Sequence, residues 1–416
     1  MCKAHLVPTE RSAIADKGRL SVALDATPLL GRPTGVGAFC AGALGGLASR
    51  SDLNVSAFAI SWRRRQAISD LVPAGVSTSQ RAMPASPLHM AWNLSSQPPV
   101  EWFIGPHQVV HGTNFVVPPS RRAARVVTVH DLTIVRFPEL CDRSTLRYPA
   151  LIRRAVDDGV WVHTPSEFVA EEVIEAFGIE AERVRAVNHG IPELVGGTGS
   201  PTGSPTGSPA GTREGQRAAN LPFLLPAGTS RYVVAVGTIE PRKDYPSLVK
   251  AFTSVSRAHR DVALVIVGAD GWGADAFLDA LAGSPVRDRI VRPGYIDDAA
   301  LDATLHGASV LAYPSVYEGF GFPPVQAMAA GVPVVSTSVG AIPEVVLDGA
   351  LLVDGGDSDG LATALAHVLD GGPDIEALVA RGRRRAADFT WSKCAEGLDR
   401  LYRDAWAASG GRGARP

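Results

Sequence analysis

Three short stretches place polar groups where apolar runs give way to loops. In YEGFGFPPVQ, Tyr317 to Gln326, a carboxylate at Glu318 and an amide at Gln326 flank Phe320, two glycines (Gly319 and Gly321) and the pair Pro323-Pro324. Proline suits the first helical turn, where its missing N–H costs no hydrogen bond. The stretch therefore predicts a loop at a strand end running into a helix, with Gln326 in the first turn. Acceptors converging from two elements suit a polyhydroxyl ligand, a sugar or ribose, and the glycines would leave room for it. In VGTIEPRKD a strand ends at Gly237, and Arg242 and Lys243 precede a Pro-marked helix start. A planar fork beside a point charge makes a clamp for a diphosphate. In TPLLGRPTGVGAF, Gly35 and Gly37 open an apolar helix pattern, where backbone N–H groups can approach an anion; a tight turn would give the same pattern.

His130-Asp131 follows another apolar run, a position for a reacting group or for a histidine simply hydrogen-bonded in place. His111 and His189 are weaker candidates. Asp357-Ser358-Asp359 has the spacing of a divalent-metal motif, but it lies directly before a helix pattern, where Asp serves as an N-cap. Asp297-Asp298 reads the same way, and Glu344 reads as a helix-start acid. No metal ligand set and no cofactor are expected.

The elements that must position these groups alternate. LSVALDAT, RVVTVHDL and GVWVHTPS, then RYVVAVGT, VALVIVGA, RIVRPGY, ASVLAYPS and VPVVSTSV, are apolar strand runs separated by loops and amphipathic helix patterns. That alternation signals parallel sheets covered on both faces, an α/β class. GGTGSPTGSPTGSPAGTREGQ breaks it: Gly, Ser, Thr and Pro bury too little apolar area to offset ordering entropy. The expected division is an N-terminal domain 1–192, a disordered linker 193–222, a C-terminal domain 223–390 and an amphipathic helix 391–408 packing back toward the N-terminal domain. Two such domains make a cleft onto which the carboxyl ends of both sets of strands face.

At 416 residues with 45% hydrophobic content, the chain is long enough for two real cores. A net charge of −2 gives no global field for nucleic acid. The four cysteines show no close pair, which points to reduced thiols in a cytoplasmic setting. No apolar run approaches the roughly 18 residues that span a bilayer. Trp62 with Arg63 to Arg65, and Trp92 and Trp102, are basic and aromatic residues suited to an anionic membrane surface, or ordinary solvated arginines and core tryptophans.

SVYEGFGFPPVQAMAAGVPVVSTSVGAIPEVV, with VGTIEPRKD upstream and TGVGAF near the start, resembles the family 4 retaining glycosyltransferases of GT-B fold. VVHGTNFVVPP, VVTVHDLT, TPSEFVAEEV and NHGI follow the family's order, so the likeness covers most of the chain. The resemblance implies a GT-B architecture of two Rossmann-like domains, with Arg242 and Lys243 on the donor diphosphate and Glu318 against the donor sugar. It also implies that backbone amides of Gly319, Phe320 and Gly321 face sugar hydroxyls or phosphate, that His130 lies near the reacting centre, and that Gly35 and Gly37 lie near phosphates or acceptor. Tyr295 falls where the family's backbone meets the nucleobase. Gln326 departs from the family's usual second glutamate, a loss on the order of 1 kcal/mol toward ribose hydroxyls. The implied reaction moves a sugar, mannose first, from a nucleoside diphosphate sugar, GDP-mannose first, to a glycan or lipid-linked acceptor without a metal. Sugar-nucleotide 2-epimerases of the same fold, and a non-catalytic sugar-nucleotide-binding protein, remain alternatives.

Overall fold

Val262–Val267 is buried at every position, which only a strand covered on both faces allows. The computed structural model describes residues 18–31, 34–143, 145–192 and 221–410. Nearly all of the expected linker 193–222 lies outside them.

Among the described residues, thirteen strands form two parallel sheets. The first contains β1 (Leu20–Asp25), β2 (Leu53–Phe58), β3 (Ser77–Ser79), β4 (Val109–Gly112), β5 (Ala124–Thr128), β6 (Trp161–Thr164) and β7 (Val184–Ala186), in the order β3-β2-β1-β4-β5-β6-β7. The second contains β8 (Arg231–Val236), β9 (Val262–Val267), β10 (Ile290–Gly294), β11 (Val310–Tyr313), β12 (Val334–Thr337) and β13 (Leu351–Val353), in the order β10-β9-β8-β11-β12-β13. In each sheet the winding reverses once, at β1/β4 and at β8/β11. The loops leaving those strands splay apart and open a crevice at the strands' carboxyl ends.

The helices used below are α1 (Gly35–Ala48), α2 (Glu167–Phe177), α3 (Tyr245–Ala258), α4 (Asp298–Gly307), α5 (Phe322–Ala330), α6 (Ile342–Val346), α7 (Ser358–Asp370) and α8 (Trp391–Ala408). Although α8 follows the second sheet in sequence, it lies on α1 of the first. The contact is made by glycines: a Cβ at Gly42 would lie 2.1 Å from the Trp391 ring, and one at Gly46 would lie 2.6 Å from the Trp391 carbonyl oxygen. Leu398, Leu401 and Tyr402 then enter the apolar core with Leu44 and Leu47. Each such burial contributes about 1.5–3 kcal/mol, whereas the exposed Arg403–Asp52 pair contributes at most about 1, so packing holds α8 in place. The chain passes between the sheets at two neighbouring points, where Ile191 N–H donates to the Phe389 carbonyl at 3.1 Å. Phe168 and Phe322 each pack against core residues of both sheets, so the halves meet through apolar contact as well.

Candidate functional site

β8 and β11 are neighbours, so their following loops are brought together although some 75 residues separate them in sequence. Arg242 and Lys243 occupy a single 3-10 turn, Pro241–Lys243, and Asp244 (φ +46°) caps α3 by accepting from Ser247 N–H. Lys243 Nζ donates to Glu318 Oε1 at 2.6 Å and to Tyr313 Oη at 2.9 Å, and lies 4.8 Å from the centre of the Tyr313 ring. Arg242 lies 2.7 Å from Glu318 Oε2, 2.8 Å from Glu240 Oε1 and 3.0 Å from the Tyr317 carbonyl. Ser315 Oγ donates to Glu318 Oε1 at 2.7 Å. Two cations and two carboxylates therefore sit in one buried patch. Burial would raise the Glu318 carboxyl, but Arg242, Lys243 and the Lys243 and Ser315 hydrogen bonds outweigh it and bring it down to about 2. Burial pulls the Lys243 ammonium down against the pull of Glu318. For Arg242 burial acts the same way, but Glu318 and Glu240 overcome it and raise the guanidinium.

Gly237 (φ +151°) serves this patch directly. A Cβ there would lie 3.1 Å from both Lys243 Cε and Tyr245 Oη, so the glycine gives passage to the lysine stem.

The loop from Tyr317 to Gln326 differs from its sequence reading in three respects. The space at Gly319 is filled by protein: a Cβ would lie 1.9 Å from the His130 carbonyl oxygen, and the Gly319 carbonyl accepts from Ser166 Oγ at 2.9 Å. It is a close contact between the two halves and leaves no room for a ligand there. Phe320 is a core residue, and Gly321 (φ +96°) is the N-cap of α5, crowded by Ile342. The helix also starts one residue earlier than the prolines suggest, at Phe322, which puts half-buried Gln326 in the second turn. Gly35 begins α1 with its missing side chain 3.4 Å from Phe322, so the N-terminal ends of α1 and α5 meet across the cleft; Gly37 donates to the capping Thr34 Oγ1. Tyr295 follows the edge strand β10 and is 53% exposed, two strands removed from β8.

His130, after β5, faces this loop from the first sheet. Its Nε2 lies 2.9 Å from the Thr113 carbonyl, so Nε2 carries the proton and Nδ1 is left as an acceptor. Burial lowers its pKa. Around Phe39 it joins His163 and His189, at ring-centre distances of 5.3, 5.2 and 4.4 Å. A hydrogen-bonded run links Tyr402, His111, Thr128, His163 and the Val187 carbonyl. Burial brings His163 down to about 3 and pushes His111 and His189 well below 6.5. All of these rings are neutral at pH 7.

Asp357 caps α7 through the N–H groups of Asp359 and Gly360, and Asp297 caps α4 through Ala300 N–H. Among the described residues no three His, Cys, Asp or Glu side chains converge as a metal site. Trp92 is buried and donates to the Pro98 carbonyl, while Trp62 and Trp102 are 61% and 58% exposed. Sequence reasoning missed Tyr313, Ser315, Tyr317 and Glu240. The period of β11 shows Tyr313 and Ser315 at its end, but nothing local says that they meet Lys243 and Glu318. Tyr317 turns away from Glu318 and enters the first half, where its hydroxyl accepts from Leu132 N–H and donates to Glu172.

Two Rossmann-like sheets with a charged patch at the β8/β11 reversal define a GT-B protein. A sucrose-phosphate synthase from Thermosynechococcus elongatus superposes with a TM-score of 0.70 at 19% identity, over 94% of this chain and all of that one. Residues 217–385 match the family model described as glycosyl transferases group 1. The O-antigen chain mannosyltransferase B of Escherichia coli is 29% identical over 290 residues, which is 69% of this chain and 71% of that protein. The MMP alpha-(1->4)-mannosyltransferase of Mycolicibacterium hassiacum is 36% identical over 181 residues, 42% of this chain and 43% of the relative. Residues 217–385 are thus a glycosyl transferases group 1 domain within a chain of GT-B fold.

Proposed function

We propose that the protein moves a hexose, with mannose the first choice, from a nucleoside diphosphate sugar to a hydroxyl of a glycan or lipid-linked acceptor, with retention and without a metal ion. One observation carries this reading: Arg242, Lys243 and Glu318 converge at the winding reversal of the second sheet, already desolvated and mutually compensated. An arriving diphosphate competes with Glu318 for both cations at little further desolvation cost. Such preorganised charge is the stabilisation that a departing diphosphate needs. The anomeric carbon–phosphate oxygen bond breaks, the bond to the acceptor oxygen forms on the same face, and the acceptor proton passes to the leaving phosphate. Glu318, ionised at any working pH, accepts from sugar hydroxyls. His130 offers neutral Nδ1 to the sugar from across the cleft. The names of the mannosyltransferase relatives support mannose as the sugar moved, and GDP-mannose is the donor proposed first.

The first half, proposed to bind the acceptor, carries exposed basic and aromatic side chains close together. Arg65 bonds the Gln80 and Trp62 carbonyls, Arg81 bonds the Trp102 carbonyl at 2.6 Å, and Arg121 lies 5.9 Å from the Trp102 ring centre. That surface suits an anionic membrane bearing the acceptor. No described helix is long and apolar enough to cross a bilayer.

The test is Arg242→Ala at saturating donor. Turnover should fall by roughly 10²-fold or more, the usual loss of one charge-stabilising donor; full turnover would remove the clamp role. A thermal-shift panel of sugar nucleotides identifies the donor, since occupancy at 100 times the dissociation constant adds about 2.7 kcal/mol. Epimerised sugar nucleotide formed without acceptor would favour the epimerase reading, and activity abolished by chelator would overturn metal independence.

A further inference from the structure

Helix α2 belongs to the first sheet, yet its first turn is completed by the second half of the molecule. A helix start leaves four backbone N–H groups to be satisfied from outside the helix ladder. Val169 N–H is met locally by Ser166 Oγ, and Ala170 N–H makes the first ladder bond, to the Ser166 carbonyl, which leaves Glu167 and Phe168 to be met from elsewhere. These two are met by Glu344, whose Oε1 accepts from Glu167 N–H and whose Oε2 accepts from Phe168 N–H, both at 2.9 Å. A carboxylate at the positive end of a helix is held by charge as well as by its hydrogen bonds.

Glu344 stands on α6, whose entry turn also holds the proposed catalytic loop. Ala341 N–H donates to the Glu318 carbonyl at 2.8 Å, and a Cβ at Gly340 would lie 2.3 Å from that oxygen. On the other side, Ser166, the cap of α2, donates to the Gly319 carbonyl. The Glu318-Gly319 backbone is thus held between α6 and α2, and Glu344 fastens those two elements to each other. Arg385 anchors the far end of α6 through the Glu344 and Val345 carbonyls. Separating the halves must break the Glu344 and Ser166 contacts together.

We propose that Glu344 is a positioning residue for the transfer: a two-oxygen latch on the first turn of α2 that sets the closure at which Glu318 meets the substrate. The catalytic part of this inference rests on the reading of Glu318 given above; the latch itself does not.

The experiment compares the full chain with Glu344→Ala and Glu344→Gln by residue-resolved amide exchange, and by GDP-mannose turnover with methyl α-mannoside as acceptor. In Glu344→Ala the amides of Glu167 and Phe168 should exchange about tenfold faster, with Ala341 following, while the inner turns of α2 keep their protection. Glu344→Gln retains one carbonyl oxygen and should leave one of the two amides protected. In Glu344→Ala kcat should fall about tenfold with donor KM within about twofold, because Arg242 and Lys243 remain intact on the second sheet. Unchanged exchange at Glu167 and Phe168 would overturn the latch. Faster exchange with unchanged kcat would overturn its positioning role. If the unaltered chain does not turn over GDP-mannose, the donor choice fails while the exchange result still decides the latch.

Discussion

The two sides of the cleft bury ionisable groups in opposite ways. Beside β8 and β11, Glu318 and Lys243 are buried and Arg242 is partly buried, all three charged and each held in that state by the others. Beside β4 to β7, His111, His163 and His189 are buried and neutral, and His189 lies stacked between Phe39 and Phe322 with no hydrogen-bond partner for either ring nitrogen among the described residues. A compensated charge cluster can be redirected toward an incoming anion, because its members have already lost their water. The neutral imidazoles supply no charge for a diphosphate, and the ring nitrogens of His111 and His163 are already taken by Tyr402, Thr128 and the Val187 carbonyl. In the proposed reaction the leaving group therefore belongs to the second sheet.

Removing one partner breaks the charged side most severely. Lys243→Met leaves Glu318 with the Arg242 cation and the Ser315 hydroxyl, and a loss of about 3 kcal/mol in urea unfolding is expected together with loss of transfer. A change below about 0.5 kcal/mol would mean that the lysine is not part of the compensation. Acid separates the two sides next. Glu318 falls from 4.5 to about 2 on folding, so its contribution is complete above pH 4.5 and is lost as pH drops toward 2. His163 falls from 6.5 to about 3, so the unfolded chain takes up its proton first, and stability declines from pH 6.5 downward. Glu318→Gln should flatten the lower limb of the stability–pH curve, between pH 4.5 and about 2, and leave the upper one; a lower limb of unchanged slope would contradict the assignment.

Smaller changes sharpen the contrast. His189→Leu removes two buried nitrogens without partners, and a gain of about 1 kcal/mol at pH 7 is expected, with weaker acid sensitivity below pH 6.5. Destabilisation at pH 7 would show that the ring is needed for its stacking. Gln326→Glu adds a charge to the second turn of α5. Donor affinity measured by calorimetry should tighten by roughly 1 kcal/mol if this side chain meets the ribose, and unchanged affinity would place it outside the donor site.

Much of this was legible locally. Apolar runs of strand length marked the β8, β9, β11 and β12 strands, and Asp357 and Asp297 were recognisable as caps because capping needs only neighbours within three residues. Arg242, Lys243 and Glu318 stood out because charged groups at the ends of buried strands are rarely accidental. Their mutual pairing was not legible, since it depends on β8 lying next to β11. Gly319 misled for the same reason: a missing side chain announces a close approach, but only the other half of the molecule shows that the visitor is the His130 backbone. Glu344 looked like an acid at its own helix start, and its partners lie 176 and 177 residues away.

What the sequence alone determined was the alternation of buried strands and amphipathic helices, the caps, and the identity of the charged residues in the loops, because each of these is set by side chains within a turn or two. The tertiary structure decided which charges compensate one another, which histidines stay neutral, and which glycines admit protein rather than ligand. Those outcomes depend on burial and on distances between segments far apart in the chain, and both come into existence only when the two sheets face each other.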